Sequence, residues 1–139
     1  MKLTYKLVKD VFGVDKSLTR NLWDNFGIGP DTWLVPANYW YVVFDKKDWV
    51  AYSGMRVHDN ISCYCGPSYV KLEYRGNNLQ KKLLRKRIRL AKKMGYTKLL
   101  SSTFMDNYPS NNSLISCGFK LVEAWADKSE HSLYWAKEI

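Results

Sequence analysis

Between Asn78 and Met94, Leu79, Leu83, Leu84, Ile88, Ala91 and Met94 recur at helical spacing, which puts them on one face, and Gly95 is placed to end the helix. The flanking segments, CYCGPSYVKLEY before and TKLLSSTF after, read as strands. A helix of that length cannot serve as a hairpin loop. The strands it joins must therefore be parallel neighbours, and Tyr69–Phe104 is a βαβ crossover.

The rest of the chain supplies antiparallel partners. KLTYKLV reads as a strand, and Asp15 can cap a helix carrying Leu18, Leu22 and Phe26 on one face. FGIGPDTW breaks it, and a short helical segment fits before the next strand. NYWYVVF and WVAYSGMRV form a hairpin through Asp45–Asp48. After the crossover, Ser110 is placed to cap a brief helix ending at Gly118, and FKLVEAWA and HSLYWAK make a last pair of strands. These elements predict an α+β fold over residues 1–139 as a single domain, with a mixed, mostly antiparallel sheet flanked by helices around the central βαβ unit. With 46% apolar and 15% aromatic residues, 139 residues can bury a real core.

Charge separates the function classes. No acidic residue stands between Glu73 and Asp106, whereas Lys81, Lys82, Arg85, Lys86, Arg87, Arg89, Lys92 and Lys93 crowd the helix. That helix carries nearly all of the net +9, so its partner should be an anion. Cys63, Cys65 and Cys117 form no repeated metal-binding pair, and His58 and His131 are far apart, which argues against a zinc site. No apolar run approaches the ~20 residues that span a bilayer. The N-terminal MKLTYKLVKDVF is charged throughout, so a cytoplasmic protein is expected.

The helix is entered through Arg75-Gly76-Asn77-Asn78. A helix begun this way leaves its first N–H groups unpaired at the positive end of its dipole, which makes an anion site. Gly76 lacks a Cβ where a phosphate must approach, and asparagines tolerate left-handed backbone. A plain β–α turn with a solvated basic helix fits the same residues.

The stretch YVKLEYRGNNLQKKLLRKRIRLAKKMGYTKLL, followed by DNYPSNNSLISCGFKLV, resembles the GNAT superfamily of acyl-CoA N-acyltransferases. That family carries Arg/Gln-x-x-Gly-x-Gly/Ala at a helix start, then an Asn, a short helix and a Gly-Phe pair. Arg75, Asn107, Gly118 and Phe119 fall on those positions. Asn78 and Gln80 take the places of the two small residues, and Leu114 the place of a tyrosine often used as general acid. The resemblance implies an acetyltransferase with acetyl-CoA as co-substrate. The N–H groups of Arg75, Gly76, Asn77, Asn78, Leu79 and Gln80 would hold the pyrophosphate. The backbone of Tyr69, Val70 and Leu72 would pair with the pantetheine arm, and the Val70 N–H would polarise the thioester carbonyl. Asn107 would hydrogen-bond the pantetheine, helped by Asn111 or Asn112.

With Leu114 unable to donate a proton, Tyr108 and Tyr134 are candidates to protonate the leaving thiolate. Glu73, Asp106 and His58 are candidates for the general base, and Cys117 for an acyl-carrying nucleophile. The acceptor groove implied by the resemblance spans Trp23–Trp40 and Trp125–Tyr134. Trp33, Tyr39, Trp40, Trp125, Asp31 and Asp127 could hold a cationic or aromatic amine there. Two other readings fit the same chain: a nucleic-acid-binding or nucleic-acid-modifying protein using the basic helix and aromatic residues, and a degenerate relative that binds CoA without catalysis.

Overall fold

A computed structural model of the chain describes residues 2–30, 37–124 and 131–139. The short helix expected before the first hairpin falls largely on residues 31–36, outside the described residues. Seven strands form one sheet in the order β1-β2-β3-β4-β5-β7-β6. They are β1 (Thr4–Val8), β2 (Tyr39–Asp45), β3 (Asp48–Val57), β4 (Ser62–Val70), β5 (Lys98–Phe104), β6 (Lys120–Val122) and β7 (Ser132–Glu138). Among the described residues only β4 and β5 pair in parallel, joined by the predicted crossover helix α2 (Leu79–Lys93).

Asp15 caps α1 (Lys16–Phe26), its carboxylate accepting from the Ser17 N–H at 2.7 Å and the Leu18 N–H at 3.4 Å. Leu18 and Leu22 are fully buried against Trp40, Val42 and Tyr52. Phe26 was expected to join them but is 38% exposed, its ring meeting Tyr52 edge-on at 6.3 Å. The opposite face of the sheet carries α2 and α3 (Tyr108–Ser116). Ser110 does not cap α3. Asn107 does, its Oδ1 accepting from the Ser110 N–H at 3.4 Å, because Pro109 follows in the first turn and asks for no such partner.

The sheet is not closed along its parallel seam. β4 and β5 pair from Ser62↔Lys98 to Cys65↔Ser101 and no further. Beyond that rung β4 stays with β3 as far as Ala51↔Val70, while β5 stays with β7 as far as Phe104↔Ser132. The cause is local. The β3–β4 register slips between Ser53 and Met55, where Gly54 faces the Gly66-Pro67 segment. A Cβ on Gly54 would lie 2.7 Å from the Ala37 Cβ and 2.9 Å from the Gly66 carbonyl oxygen, so only glycine fits this bulge. A bulge bends its strand, and Pro67 has no N–H to offer β5. The seam therefore opens into a wedge.

Candidate functional site

The wedge leads to the turn that the sequence singles out. After Val70 the chain makes a 3-10 turn at Leu72–Tyr74, and Gly76 follows with φ +84°. Asn78 takes φ +58°, the left-handed conformation expected of it, and makes no side-chain cap on α2. The Asn77 side chain ties the turn together by donating Nδ2–H to the Tyr74 carbonyl at 3.0 Å. The first bond into the helix runs from the Lys82 N–H to the Asn78 carbonyl at 3.0 Å. Among the described residues, no hydrogen bond is donated by the N–H groups of Gly76 through Lys81. Six consecutive donors thus converge at the positive end of α2, and its first turn contains no acidic residue.

Arg75 departs from expectation. Its own N–H is already used, donating to the Leu72 carbonyl at 3.2 Å. Its guanidinium folds back, Nε donating to the Val70 carbonyl at 2.9 Å over the Tyr69 ring. The side chain therefore braces the turn against β4.

A cavity of about 530 Å³ lies over the turn, bounded by the end of β4 and by Asn107, Pro109 and Ser110. Ser68, Gln80, Asn107, Ser110 and Ser113 also line a second cavity, of about 430 Å³, in the wedge. These five residues are a wall common to both spaces. The Lys71 N–H donates to the Val50 carbonyl of β3 at 2.9 Å. Because successive N–H groups of a strand alternate in direction, those of Ser68 and Val70 face the wedge.

Comparison with known proteins bears on the family and the fold. The family model described as "Acetyltransferase (GNAT) family" matches residues 5–119. The chain belongs to the GNAT acetyltransferase family. Solved GNAT structures share its fold. The IAA acetyltransferase from Bacillus cereus is 16% identical at TM-score 0.74, covering 99% of this chain and 100% of its own. An acetyltransferase from Bacillus subtilis in complex with CoA is 13% identical at TM-score 0.77, covering 99% of each chain. A Bacillus anthracis protein assigned as a streptothricin acetyltransferase, in complex with acetyl-CoA, is 17% identical at TM-score 0.64, covering 76% of this chain and 65% of its own. A search of the curated proteins gives no match.

Within this GNAT frame the predicted residues separate into two groups. Val70, Gly76, Asn78, Leu79, Gln80 and Asn107 all line the cavity over the turn, and Tyr69 and Arg75 border it. Leu79 does so while its side chain is buried in the core. Gln80, larger than the family's Gly or Ala, is accommodated by turning toward α3, where its Oε1 lies 3.5 Å from the Ser110 hydroxyl.

The second group is not brought to the site. Leu72 lies past the end of β4 in the 3-10 turn and is 71% exposed, so it is not a pairing position for an extended ligand. Tyr108 is 68% exposed and lines neither cavity, because it opens α3 on the outer surface. Asn111 is buried and occupied, accepting from the Thr103 hydroxyl and donating to the Phe104 and Met105 carbonyls. It fastens α3 to the end of β5. Leu114 is buried in the core against the wedge cavity. Glu73, Asp106, His58, Tyr134 and Cys117 line neither cavity. Of the acceptor-groove residues, Trp40 is fully buried beneath α1, and Trp33, Trp125, Asp31 and Asp127 lie outside the described residues. The described residues hold no group that could bind a metal.

The wedge brings in residues that sequence reasoning passed over. Tyr64 sits on its wall with its hydroxyl 2.6 Å from the Ser102 hydroxyl, and the Arg56 guanidinium lies 4.6 Å over its ring. Arg87, counted with the solvated cations of α2, is only 5% exposed and lines the same cavity. Lys86 is also drawn inward, over the rings of Tyr5 and Tyr41. Among the described residues, no Asp, Glu or His lines either cavity.

Proposed function

We propose that this GNAT acetyltransferase moves the acetyl group of acetyl-CoA to a primary amine. The observation that carries the reading is the run of six unpaired N–H groups, Gly76 to Lys81, opening directly onto the wedge between β4 and β5. The diphosphate of acetyl-CoA sits on that run, with Lys81 and the helix dipole supplying counter-charge. The pantetheine arm lies along β4 in the wedge, taking the Val70 and Ser68 N–H groups that β5 leaves unpaired, with Asn107 at its flank. The thioester carbonyl oxygen accepts from the Val70 N–H. That donor becomes more favourable as the oxygen gains charge in the tetrahedral intermediate.

The amine attacks the carbonyl carbon and the C–S bond breaks, expelling the CoA thiolate. With two arginines and no carboxylate on the cavity wall, an ammonium ion is disfavoured there by like charge. The acceptor loses its proton to water on entry, so no side-chain base is required. The Tyr64 hydroxyl, in its pair with Ser102, is the donor that reprotonates the thiolate. Three free thiols suit the reducing cytoplasm in which this reading places the enzyme.

Titration with acetyl-CoA tests the reading. At about 100 times Kd a ligand specific to the folded state adds about 2.7 kcal/mol. For a domain of this size that raises Tm by on the order of 5–10 °C. Free CoA is expected to act nearly as well, since it makes the same phosphate and pantetheine contacts. No shift with either ligand at millimolar concentration refutes the assignment.

Catalytic roles are separable in the same protein. Tyr64→Phe is expected to slow turnover at saturating acetyl-CoA by ~10²-fold, the low end of general-acid effects, because a thiolate is already a fair leaving group. Tyr108→Phe is expected to leave the rate unchanged. The reverse order of effects assigns the proton to Tyr108.

A further inference from the structure

Arg87 presents an unusual electrostatic problem. Its Nε donates to the Leu83 carbonyl at 3.4 Å and one terminal nitrogen to the Gly54 carbonyl at 3.1 Å. Both acceptors are neutral. The ion pair seen among the described residues is Arg20–Asp24, on the surface of α1, and no carboxylate among the described residues faces Arg87. Burial pulls its pKa down, and the groups that favour its charge are the thiols of Cys65 and Cys117 and the phenol of Tyr64. Burial also pushes the Cys65 thiol up, so no thiolate balances the guanidinium there. An arginine keeps its charge under such conditions, and a buried charge without a counter-charge is strongly unfavourable.

The same face of the sheet has further unpartnered polar groups. Ser53 and Ser68 stand opposite one another on β3 and β4, and both hydroxyls are buried without a hydrogen-bond partner. Ser68 lines both cavities, and Arg87 lines the cavity of the wedge. At the apex, where β4 and β5 part, Arg87 thus keeps N–H donors beyond the two it uses on neutral carbonyls, and the hydroxyls beside the strand can donate as well as accept, so the charge left unmatched is positive. A carboxylate matches that surplus in charge and in the planar geometry that a guanidinium fork recognises.

We propose that Arg87, with Ser68 beside it, binds a carboxylate carried into the wedge by one of the two reactants. This rests on the acetyl-CoA reading, because the wedge is where that reading puts the thioester. Two sources present the group. One is an acceptor amine that also bears a carboxylate, as an amino acid does. The other is an acyl thioester of a dicarboxylic acid, whose free end reaches past the carbonyl. In either case the transfer is the same: the amine nitrogen bonds the carbonyl carbon, the C–S bond breaks, and the proton that the nitrogen sheds balances the one taken up by the departing thiolate.

The test uses the full chain and matched ligand pairs. In one arm, initial rates of CoA release are measured at saturating acetyl-CoA with amino acids and with their carboxamides. In the other, succinyl-CoA and acetyl-CoA are compared as ligands by calorimetry, with free CoA titrated in parallel. The carboxylate member is expected to be preferred ~10-fold or more in kcat/KM or in Kd, the scale of a charge-assisted hydrogen bond. Which arm shows the preference identifies the source. Arg87→Met is expected to reduce it to less than ~3-fold, and Arg87→Lys, which keeps the charge without the fork, to leave an intermediate value. A wild-type protein that binds free CoA but shows no preference in either arm overturns the proposal alone, and so does a preference that survives Arg87→Met intact. A wild-type protein that does not bind CoA overturns the acetyl-CoA reading and this proposal together.

Discussion

Replacing Gly76 by valine is expected to abolish the stabilisation that acetyl-CoA confers while leaving the unliganded protein folded. Gly76 holds φ +84°, where a β-branched residue is strained by about 1–3 kcal/mol. A Cβ built at this position meets nothing within 4 Å beyond its chain neighbours, so the branch point of the new side chain stands in open space. The space it would fill is the open cavity over the turn, where the proposed diphosphate lies. Strain and bulk therefore act together on the ligand and only strain acts on the fold. Valine is expected to relax the turn out of the left-handed region, which re-aims the N–H groups that follow it. Loss of several aligned, charge-assisted donors corresponds to an affinity loss of ~100-fold or more. Thermal melts with and without millimolar acetyl-CoA read both effects at once: a variant with lowered Tm and no ligand shift is expected. A normal ligand shift would move the phosphate site elsewhere.

The crossover, the hairpin and the positive-φ turn that opens α2 were legible because each rests on local rules. The apolar stripe on α2 sets its inward face, and Gly76 and Asn78 take the positive φ values that their side chains permit. The wedge was not legible, although Gly54 and the Gly66-Pro67 pair are visible inside strands. Their effect on the β4–β5 seam depends on a register shift against a third strand, which no window of sequence contains. Arg87 was misread for a different reason. It stands four residues after Leu83 and four before Ala91, both buried, so helical arithmetic places it on the inward stripe. Composition alone assigned it to solvent with its neighbours. Asn111 is offered by the resemblance and Tyr108 only by standing near Leu114, and neither assignment fixes the rotation of α3. Along that segment Asn107, Ser110 and Ser113 line the cavities, Asn111 turns to the core and Tyr108 to the surface. The wedge wall is built across strands, from Tyr64 on β4 and Ser102 on β5, a pairing that sequence separation hides.

Substituting proline for Val70 is expected to cut turnover by ~10²–10³-fold with acetyl-CoA binding largely kept. The reason lies in which way one N–H points. The neighbouring Lys71 N–H is committed to the Val50 carbonyl of β3, so the Val70 N–H faces the wedge and carries no ladder bond. Proline removes that single donor and is tolerated in a strand where the N–H is unpaired. The Val70 carbonyl, which accepts from Arg75 Nε at 2.9 Å, is retained, so the brace that holds the phosphate turn survives. Losing one donor to a developing oxyanion typically costs 10²–10³-fold in kcat, because the interaction strengthens only as charge appears. Ground-state binding, spread over the diphosphate and the length of the arm, changes little. Val70→Ala separates this from loss of packing. It keeps the N–H and gives up the two methyl groups in the core beside Leu79 and Leu83, at about 1–2 kcal/mol of stability. Alanine is expected to turn over at near the wild-type rate with a lower Tm, and proline to show the opposite balance. Turnover of the proline variant at the wild-type rate under saturating acetyl-CoA would mean that the carbonyl is polarised by another group, with the Ser68 N–H next in line along the same edge.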